Sequence, residues 1–447
     1  MCKEQDVSLP RREFLSRLAV TAGGLAMARC NASNASADAA DVSVAASDED
    51  VWSAFREQFT LSPDYVHMSA LLIVSHPTPV REAIERFRRE LDENPVLTLQ
   101  EHNRIRQRAA AAAAAQYLGV NADEIALTDS TTMGVGLIYN GLRLHPGDEI
   151  LTTEQDYYVT HESVRQAAER HGAHVRRIAL YQQISAVSEE QLAGTIRDHI
   201  RPETRVVALT WVHSSTGLKL PLRRIGDAVA AVNARRDEGS RVLLAIDGVH
   251  GFGIEDVNLA DLGLDFFAAG CHKWLFGPRG TGILWGSARG WAASAPLIPS
   301  FTDDGTWAAW LEGDDPDGAV TASRMTPGGF KAFEHQWALP AAFEMHQQLG
   351  KGNVQARTHS LARQLKEGLR SMPHIELVTP MPESLSSGIV CFDVAGMDPW
   401  QAARRLCDAR VIASVTPYAV RHVRLTPSIR NSESDVDRAL RAIRALA

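Results

Sequence analysis

Asp247 and Lys273 stand where an acid and an amine would meet a ligand. Residues 242–246, Val-Leu-Leu-Ala-Ile, form a short apolar run of the kind that makes a fully buried parallel strand, and the run stops at Asp247 before a glycine. The carboxyl end of such a strand is where α/β sheets bind their ligands. A second apolar run, residues 266–269, leads into Gly270-Cys271-His272-Lys273-Trp274, so a lone lysine emerges among glycines and aromatic residues. An amine in partly apolar surroundings has a depressed pKa and attacks aldehydes to form imines. Taken singly, Asp247 also reads as a turn former and Lys273 as a solvated loop residue; taken together they suit carbonyl chemistry.

Pyridoxal phosphate is a cofactor that needs both groups. Its aldehyde requires the lysine, and its ring nitrogen requires a carboxylate, because the protonated ring accepts electrons from a substrate carbanion. The segments DGVHG (247–251), GCHKW (270–274) and GPRGTGILW (277–285) jointly resemble the class V aminotransferase group of fold-type I pyridoxal-phosphate enzymes. The resemblance runs from about Tyr65 to the C-terminus. It implies that Lys273 is the Schiff-base lysine, Asp247 the pyridinium partner, His250 a contact to the cofactor's ring hydroxyl and His272 a phosphate ligand.

Other stretches extend this set. Residues 128–134 turn from strand to helix with Ser130, Thr131 and Thr132 at the turn, a layout that offers amides and hydroxyls to an anion and that also serves ordinary N-capping. The resemblance implies Thr131 and Thr132 as phosphate ligands. After the strand at 149–153 it implies an aromatic ring stacked on the cofactor, for which Tyr157 aligns best and Tyr158 is the alternative. After the strand at 205–210 it implies Ser214 near the ring oxygen, with His213 either an acid or base or, more in keeping with a mixed loop, a satisfied structural histidine. The stretch 323–330 resembles the segment that enters a neighbouring subunit, which would place Thr326 at the partner's phosphate in a homodimer with shared active sites. Arg424 matches the arginine that grips a substrate carboxylate, a task suited to its planar fork.

The elements that must position these residues follow from periodicity. Alternating short apolar runs and amphipathic stretches predict an α/β fold, a large domain with a mostly parallel sheet under helices and then a small C-terminal α/β domain, and the resemblance to fold-type I enzymes implies that the large sheet is of the seven-stranded type. Helices are expected at 77–91 and 98–118, the second continuing through a seven-alanine run of strong helix propensity. Residues 300–318 read as a loop over the active-site mouth, and 331–349 as one long connecting helix. The expected divisions are 1–50, 51–330 and 331–447.

Residues 1–50 read as an export leader and spacer. Arg11-Arg12-Glu13-Phe14-Leu15 precedes a weakly apolar stretch and then an Ala/Ser/Asn/Asp-rich tract, the layout of a twin-arginine signal, so the twin-arginine export machinery is an expected partner and the periplasm or exterior the expected location. Arg29 argues against lipoprotein anchoring at Cys30. A net charge of −8 without charged blocks gives no footprint for nucleic acid, and no run is long enough to span a membrane. Five cysteines without CxxC spacing point to neither a metal site nor a disulfide framework.

The expected substrate is a small-molecule amino acid whose α-proton Lys273 removes. The desulfurase branch of the group requires a reactive cysteine on a loop shortly before the carboxylate arginine, and this chain has Val415-Thr416-Pro417-Tyr418-Ala419 there. The wording TWVHSSTG and TPGGF resembles isopenicillin N epimerase-like members, which implies epimerisation or racemisation at the α-carbon, with Tyr157 or His213 as second base. An aminotransferase is the alternative, followed by a carbon-sulfur lyase.

Overall fold

The computed structural model describes residues 48–447. The leader, Cys30 and most of the spacer lie outside the described residues. Two compact units are present, one ending at Gln58 and one running from Phe59 to Ala447. The first carries the helix Asp48–Arg56, in which Arg56 reaches back to Glu49 at 2.6 Å.

The second unit is built on a seven-stranded sheet: β1 (Ile125–Thr128), β2 (Glu149–Thr153), β3 (His174–Ile178), β4 (Thr204–Thr210), β5 (Leu243–Asp247), β6 (Phe266–Gly270) and β7 (Gly282–Gly286), in the spatial order β1-β7-β6-β5-β4-β2-β3. All pairings are parallel except those of β7, which runs against β1 and β6. Every residue of β1, β2, β5, β6 and β7 is buried, which is why β5, β6 and β7 are written as near-continuous apolar runs rather than alternating ones. Burying a side chain such as Val206, Phe266 or Leu284 contributes roughly 1.5–3 kcal/mol, and the core they share with helix Thr131–Gly141 holds the strand ends in register.

The C-terminal part adds a four-stranded antiparallel sheet of β8 (Ile375–Leu377), β9 (Val390–Val394), β10 (Ser414–Val415) and β11 (Val423–Leu425), ordered β10-β11-β9-β8. Val66–His67 pairs in parallel with Val411–Ile412, and Ser69 bridges to Thr426. Val66 and Met68 therefore belong to the second core, with Leu365, Phe392 and Leu425.

Two local expectations are corrected. Residues 300–318 are not a plain loop over the mouth: they contain the helix Asp304–Glu312, capped by Asp303 accepting from the Thr306 amide and ended by Gly313 at φ 78, and Asp304 pairs with Arg104 at 2.5 Å. Residues 331–349 are not one helix. Phe333–Trp337 and Leu339–Leu349 meet at Ala338, where Pro340 supplies a fresh first turn, and the long helix is the following one, Lys351–Arg370. No helix among the described residues is long and apolar enough to cross a membrane.

Candidate active site

Five of the parallel strands end at one edge of the sheet, and each delivers a functional side chain there. Ser130, Thr131 and Thr132 follow β1, Tyr157 follows β2, Ser214 follows β4, Asp247 closes β5, and His272 and Lys273 follow β6. Together with His250 and Arg424 they line one cleft of about 210 Å³. Of the residues singled out from sequence, Thr326 alone among the binding set stays outside it. Its hydroxyl accepts from the Leu127 amide at 3.2 Å and donates to the Ala322 carbonyl at 3.0 Å.

Lys273 sits in a tight turn. The Phe276 amide donates to the Lys273 carbonyl at 2.9 Å and the Gly277 amide to that of Cys271 at 2.8 Å. Phe276 takes φ 58, a left-handed conformation costing a non-glycine residue about 1–2 kcal/mol, which the packing of its ring against Phe59 and His346 helps to hold. Burial brings the Lys273 amine down to about 8, with Asp247 opposing the shift and Arg424 assisting it. Burial raises the Asp247 carboxyl to about 6, against the pull of the Val249 amide, 3.1 Å from Oδ1, and of Lys273. At neutral pH the acid is thus ionised and the amine protonated only within a unit or so of release.

A rate prediction follows from the amine. Only neutral Lys273 captures an aldehyde, so the rate at which cofactor-free protein takes up pyridoxal phosphate should rise about tenfold between pH 7 and 9 and then level off. An ordinary lysine would give a rate still climbing about sevenfold between pH 9 and 10. Stopped-flow absorbance of cofactor uptake across pH 6–10 distinguishes the two.

His250 is fixed in one tautomer. The indole Nε1–H of Trp274, a donor only, points at His250 Nδ1 at 3.3 Å, so the ring proton resides on Nε2. Burial, with Lys273 and Arg424 nearby, holds the imidazole well below its ordinary pKa and therefore neutral. His250 thus offers a neutral N–H donor to the cleft. Trp274→Phe should release the tautomer, turning a single Nε2–H form into a mixture, read from imidazole ¹⁵N shifts with His250→Gln assigning the resonance; an unchanged single form would refute the assignment.

At the other end of the cleft, Ser130 caps Met133 at 3.1 Å and leaves the first amides of helix Thr131–Gly141 free of intrahelical partners. Thr131 Oγ accepts from the Gly270 amide at 2.7 Å. His272 Nδ1 is buried without a hydrogen-bond partner. A Cβ on Gly270 would lie 2.9 Å from the His272 ring and 3.1 Å from Thr131 Oγ, so the glycine keeps this corner open. An orphaned ring nitrogen, two hydroxyls and free helix amides make an anion cradle.

The remaining wall joins the two sheets. Arg424 donates through Nε to Ser414 Oγ at 3.0 Å, through Nη1 to the Ser214 carbonyl at 2.6 Å and, more weakly, through Nη2 to Val415 at 3.5 Å. It is 2% exposed, yet among the described residues no carboxylate lies within salt-bridge distance of it. Buried charges are ordinarily paired, so this guanidinium has room for an anion from outside the chain. Tyr157 lines the cleft, whereas Tyr158 is outside the lining and 68% exposed.

Sequence reasoning missed three contributors. Asp156 clamps the ends of β2 and β4, accepting from Thr152 Oγ, from the Thr153 amide and hydroxyl, and from the Thr210 amide at 2.6 Å. Its place one residue before Tyr157, after two strand threonines, was the available signal. Tyr418 bonds Ser214 Oγ at 2.8 Å and packs on Tyr157 at 5.9 Å between ring centres. Trp274 fixes His250. His213 does not fit the expected satisfied histidine: it is fully buried, both ring nitrogens lack hydrogen bonds, and Asp156 Oδ1 lies 4.0 Å away, while the ring stays out of the cleft lining.

The cleft brings together groups suited to capturing an aldehyde that bears an anionic group and to pairing with a carboxylate beside it. Residues 75–416 match the family described as aminotransferase class-V, and the chain belongs to that family. It is a pyridoxal-phosphate-dependent enzyme, and its fold is that of the fold-type I group. Among curated proteins it is similar to the isopenicillin N epimerases of Streptomyces clavuligerus (26% identity over 88% of this chain and 98% of the relative) and Amycolatopsis lactamdurans (27%, 89% and 98%). It also resembles a probable cysteine desulfurase of Vibrio cholerae (26%, 74% and 80%). Among solved structures, the cystine C-S lyase C-DES in complex with cysteine persulfide superposes with a TM-score of 0.76 at 23% identity, covering 86% of this chain and 98% of that one.

The residues present fit the cofactor. Lys273 would hold its aldehyde, Asp247 its ring nitrogen, His250 its ring oxygen and the Thr131, Thr132 and His272 corner its phosphate.

Proposed function

We propose that the chain is an amino-acid epimerase or racemase acting at the α-carbon. The observation that supports this is the placing of two proton carriers, Lys273 after β6 and Tyr157 after β2, at opposite walls of one cleft, with β5 and β4 between them. Three strand spacings separate the two walls, roughly 14 Å along the sheet edge, enough to seat a ligand between them. His213 is walled off from the cleft, which leaves Tyr157 as the second base.

When bound, pyridoxal phosphate supplies an aldehyde for the substrate's amino group and a protonated ring that accepts the electron pair left at the α-carbon. Arg424 grips the substrate carboxylate through the N–H groups its backbone contacts leave over. Lys273 would take the α-proton, and Asp247, ionised, would keep the ring nitrogen protonated. Tyr157 returns a proton from the other wall, and the configuration inverts.

Among the described residues no cysteine lines the cleft to perform cysteine-dependent chemistry. Among the described residues Cys271 and Cys391 are buried, their thiols pushed up to about 12 by burial, and none of Cys271, Cys391 and Cys407 lines the cleft. The place taken by the desulfurase cysteine holds Pro417 and Tyr418.

The reading extends to a homodimer exported by the twin-arginine route. Phe301, Trp307, Trp310, Leu311 and Phe330 are each more than half exposed on the single chain, a surface in keeping with burial against a second copy. Sedimentation of the mature protein and fractionation of the producing cells test these two points.

For the reaction, mature protein is incubated in deuterated water with L- and D-amino acids and no keto acid. Loss of chirality with deuterium at the α-carbon is the expected result. One equivalent of keto acid followed by a stall would make it an aminotransferase instead.

A further inference from the structure

Glu255 follows His250 closely in the chain and is buried behind the cleft, where three other segments meet its carboxylate. Oε2 accepts from Lys219 Nζ at 2.7 Å, and Oε1 accepts from His359 Nε2 at 2.8 Å and from Ser387 Oγ at 2.6 Å. Burial works to raise this carboxyl, but the hydrogen bond from His359 and the charge of Lys219 hold it below its ordinary range. The ionised group is an acceptor only, so all three partners donate to it. Glu255, Lys219, His359 and Ser387 meet within the one chain, and none of them lines the cleft.

What this joint holds in place is Arg424. Past the arginine, β11 is tied to Met68, whose carbonyl accepts from the Thr426 amide at 2.8 Å and the Thr426 hydroxyl at 3.1 Å. The other supports of Arg424 run back to Glu255 along two lines. Along the first, Lys219 belongs to the hairpin after β4, in which the His213 amide donates to the Leu218 carbonyl and the Leu220 amide to that of Trp211, both at 2.8 Å. That hairpin carries Ser214, whose carbonyl accepts from Arg424 Nη1 at 2.6 Å. Along the second, Ser387 leads into β9, where Cys391 lies directly opposite Arg424 of β11. Thr379 braces the two lines, its hydroxyl donating to the Thr216 carbonyl at 2.7 Å and accepting from the Cys391 amide at 2.7 Å. The lines also touch backbone to backbone: a Cβ on Gly217, at φ 77, would lie 2.5 Å from the Ile389 carbonyl. Gly388 is just as close to the Trp274 indole that fixes His250, since a Cβ there would come within 2.9 Å of it.

We propose, on the basis of the amino-acid reading above, that Glu255 is a positioning residue: through Lys219 and Ser387 it sets the place of Arg424 against the cofactor wall, and it touches neither substrate nor cofactor. A misplacement of about 1 Å in a group that orients a substrate costs on the order of 10²-fold in rate, so a small yielding of the joint is felt at the arginine.

The test uses the holoenzyme and measures α-proton exchange in deuterated water per unit concentration. The probes are alanine, leucine, glutamate and lysine, and the amine that each leaves on removal of its α-carboxylate. Glu255→Ala removes the joint, while Ser387→Ala and Lys219→Met each cut one line and leave the other to hold the fold. Glu255→Ala should lower exchange with the amino acids about 10- to 100-fold and each single-line variant at least about threefold, with the amines changed less than about twofold. In an Arg424→Ala background the same substitutions should cost less than about twofold, because the arginine they position is gone. An equal fall for amino acids and amines in the folded variants, no fall for either, or the full fall repeated in the Arg424→Ala background overturns the inference while the amino-acid reading stands. Exchange with none of the four amino acids in the wild type overturns that reading and the inference with it.

Discussion

Lys273→Ala should lower α-proton exchange by at least about 10⁴-fold while the protein stays folded, because both the covalent hold on the cofactor and the base are lost together. The fold is spared for a physical reason. A protonated amine in this site is desolvated, as its depressed pKa of about 8 records, so its removal relieves a cost even as it opens a small cavity. The turn that presents it depends on backbone bonds from Phe276 and Gly277, which alanine keeps. Borohydride trapping followed by peptide mass analysis should find the cofactor on the peptide containing Lys273 in the wild type and nowhere in the variant. Exchange within a hundredfold of wild type in Lys273→Ala would transfer the base to another residue, with Tyr157 the first to examine.

Arg424→Ala should cost roughly 3–5 kcal/mol of carboxylate recognition, about 10²- to nearly 10⁴-fold in kcat/KM, since the substrate anion would be buried without a counter-charge. Arg424→Lys should recover part of this but not all. An ammonium keeps the charge and loses the fork, and it cannot at once satisfy Ser414 Oγ, the Ser214 carbonyl and a ligand as the guanidinium does. Steady-state exchange with an amino acid and with the corresponding amine lacking a carboxylate is the discriminating measurement. The amine should react equally with wild type and Arg424→Ala; a drop for both compounds would assign Arg424 to the architecture of the β10 and β11 wall instead.

The parts of the site legible in the sequence were those written locally. Asp247 and Lys273 each close an apolar strand, so strand, strand end and chemical group lie within a few residues of one another. The strand-to-helix turn at Ser130 to Thr132 was written in the same local way at the end of β1, whereas Tyr157, after β2, rested on the family resemblance. The unread parts depend on contacts between distant segments. Tyr418 reaches Ser214 across 204 positions, and Trp274 sets the His250 tautomer from another loop, relations that no periodicity encodes. Helix Asp304–Glu312 was missed because its stripe is exposed rather than apolar toward a core, although Asp303 and Gly313 mark both its ends. The break at Ala338 was missed for the opposite reason: the apolar period continues across it, and only Pro340 marks a new first turn.

The tie between Met68 and Thr426 has a bearing on when the protein becomes an enzyme. The two residues are 358 positions apart, and Arg424 comes long after the last strand of the seven-stranded sheet, which ends at Gly286. A ribosome that has made the entire seven-stranded sheet, with Asp247 and Lys273 already in place, has yet to release the segment that completes the substrate wall. Contacts of such long sequence separation form late, after the entropy of closing the loop has been met. Cofactor capture and substrate competence are thereby separated in time: the nascent chain can acquire the aldehyde well before it can hold an amino acid.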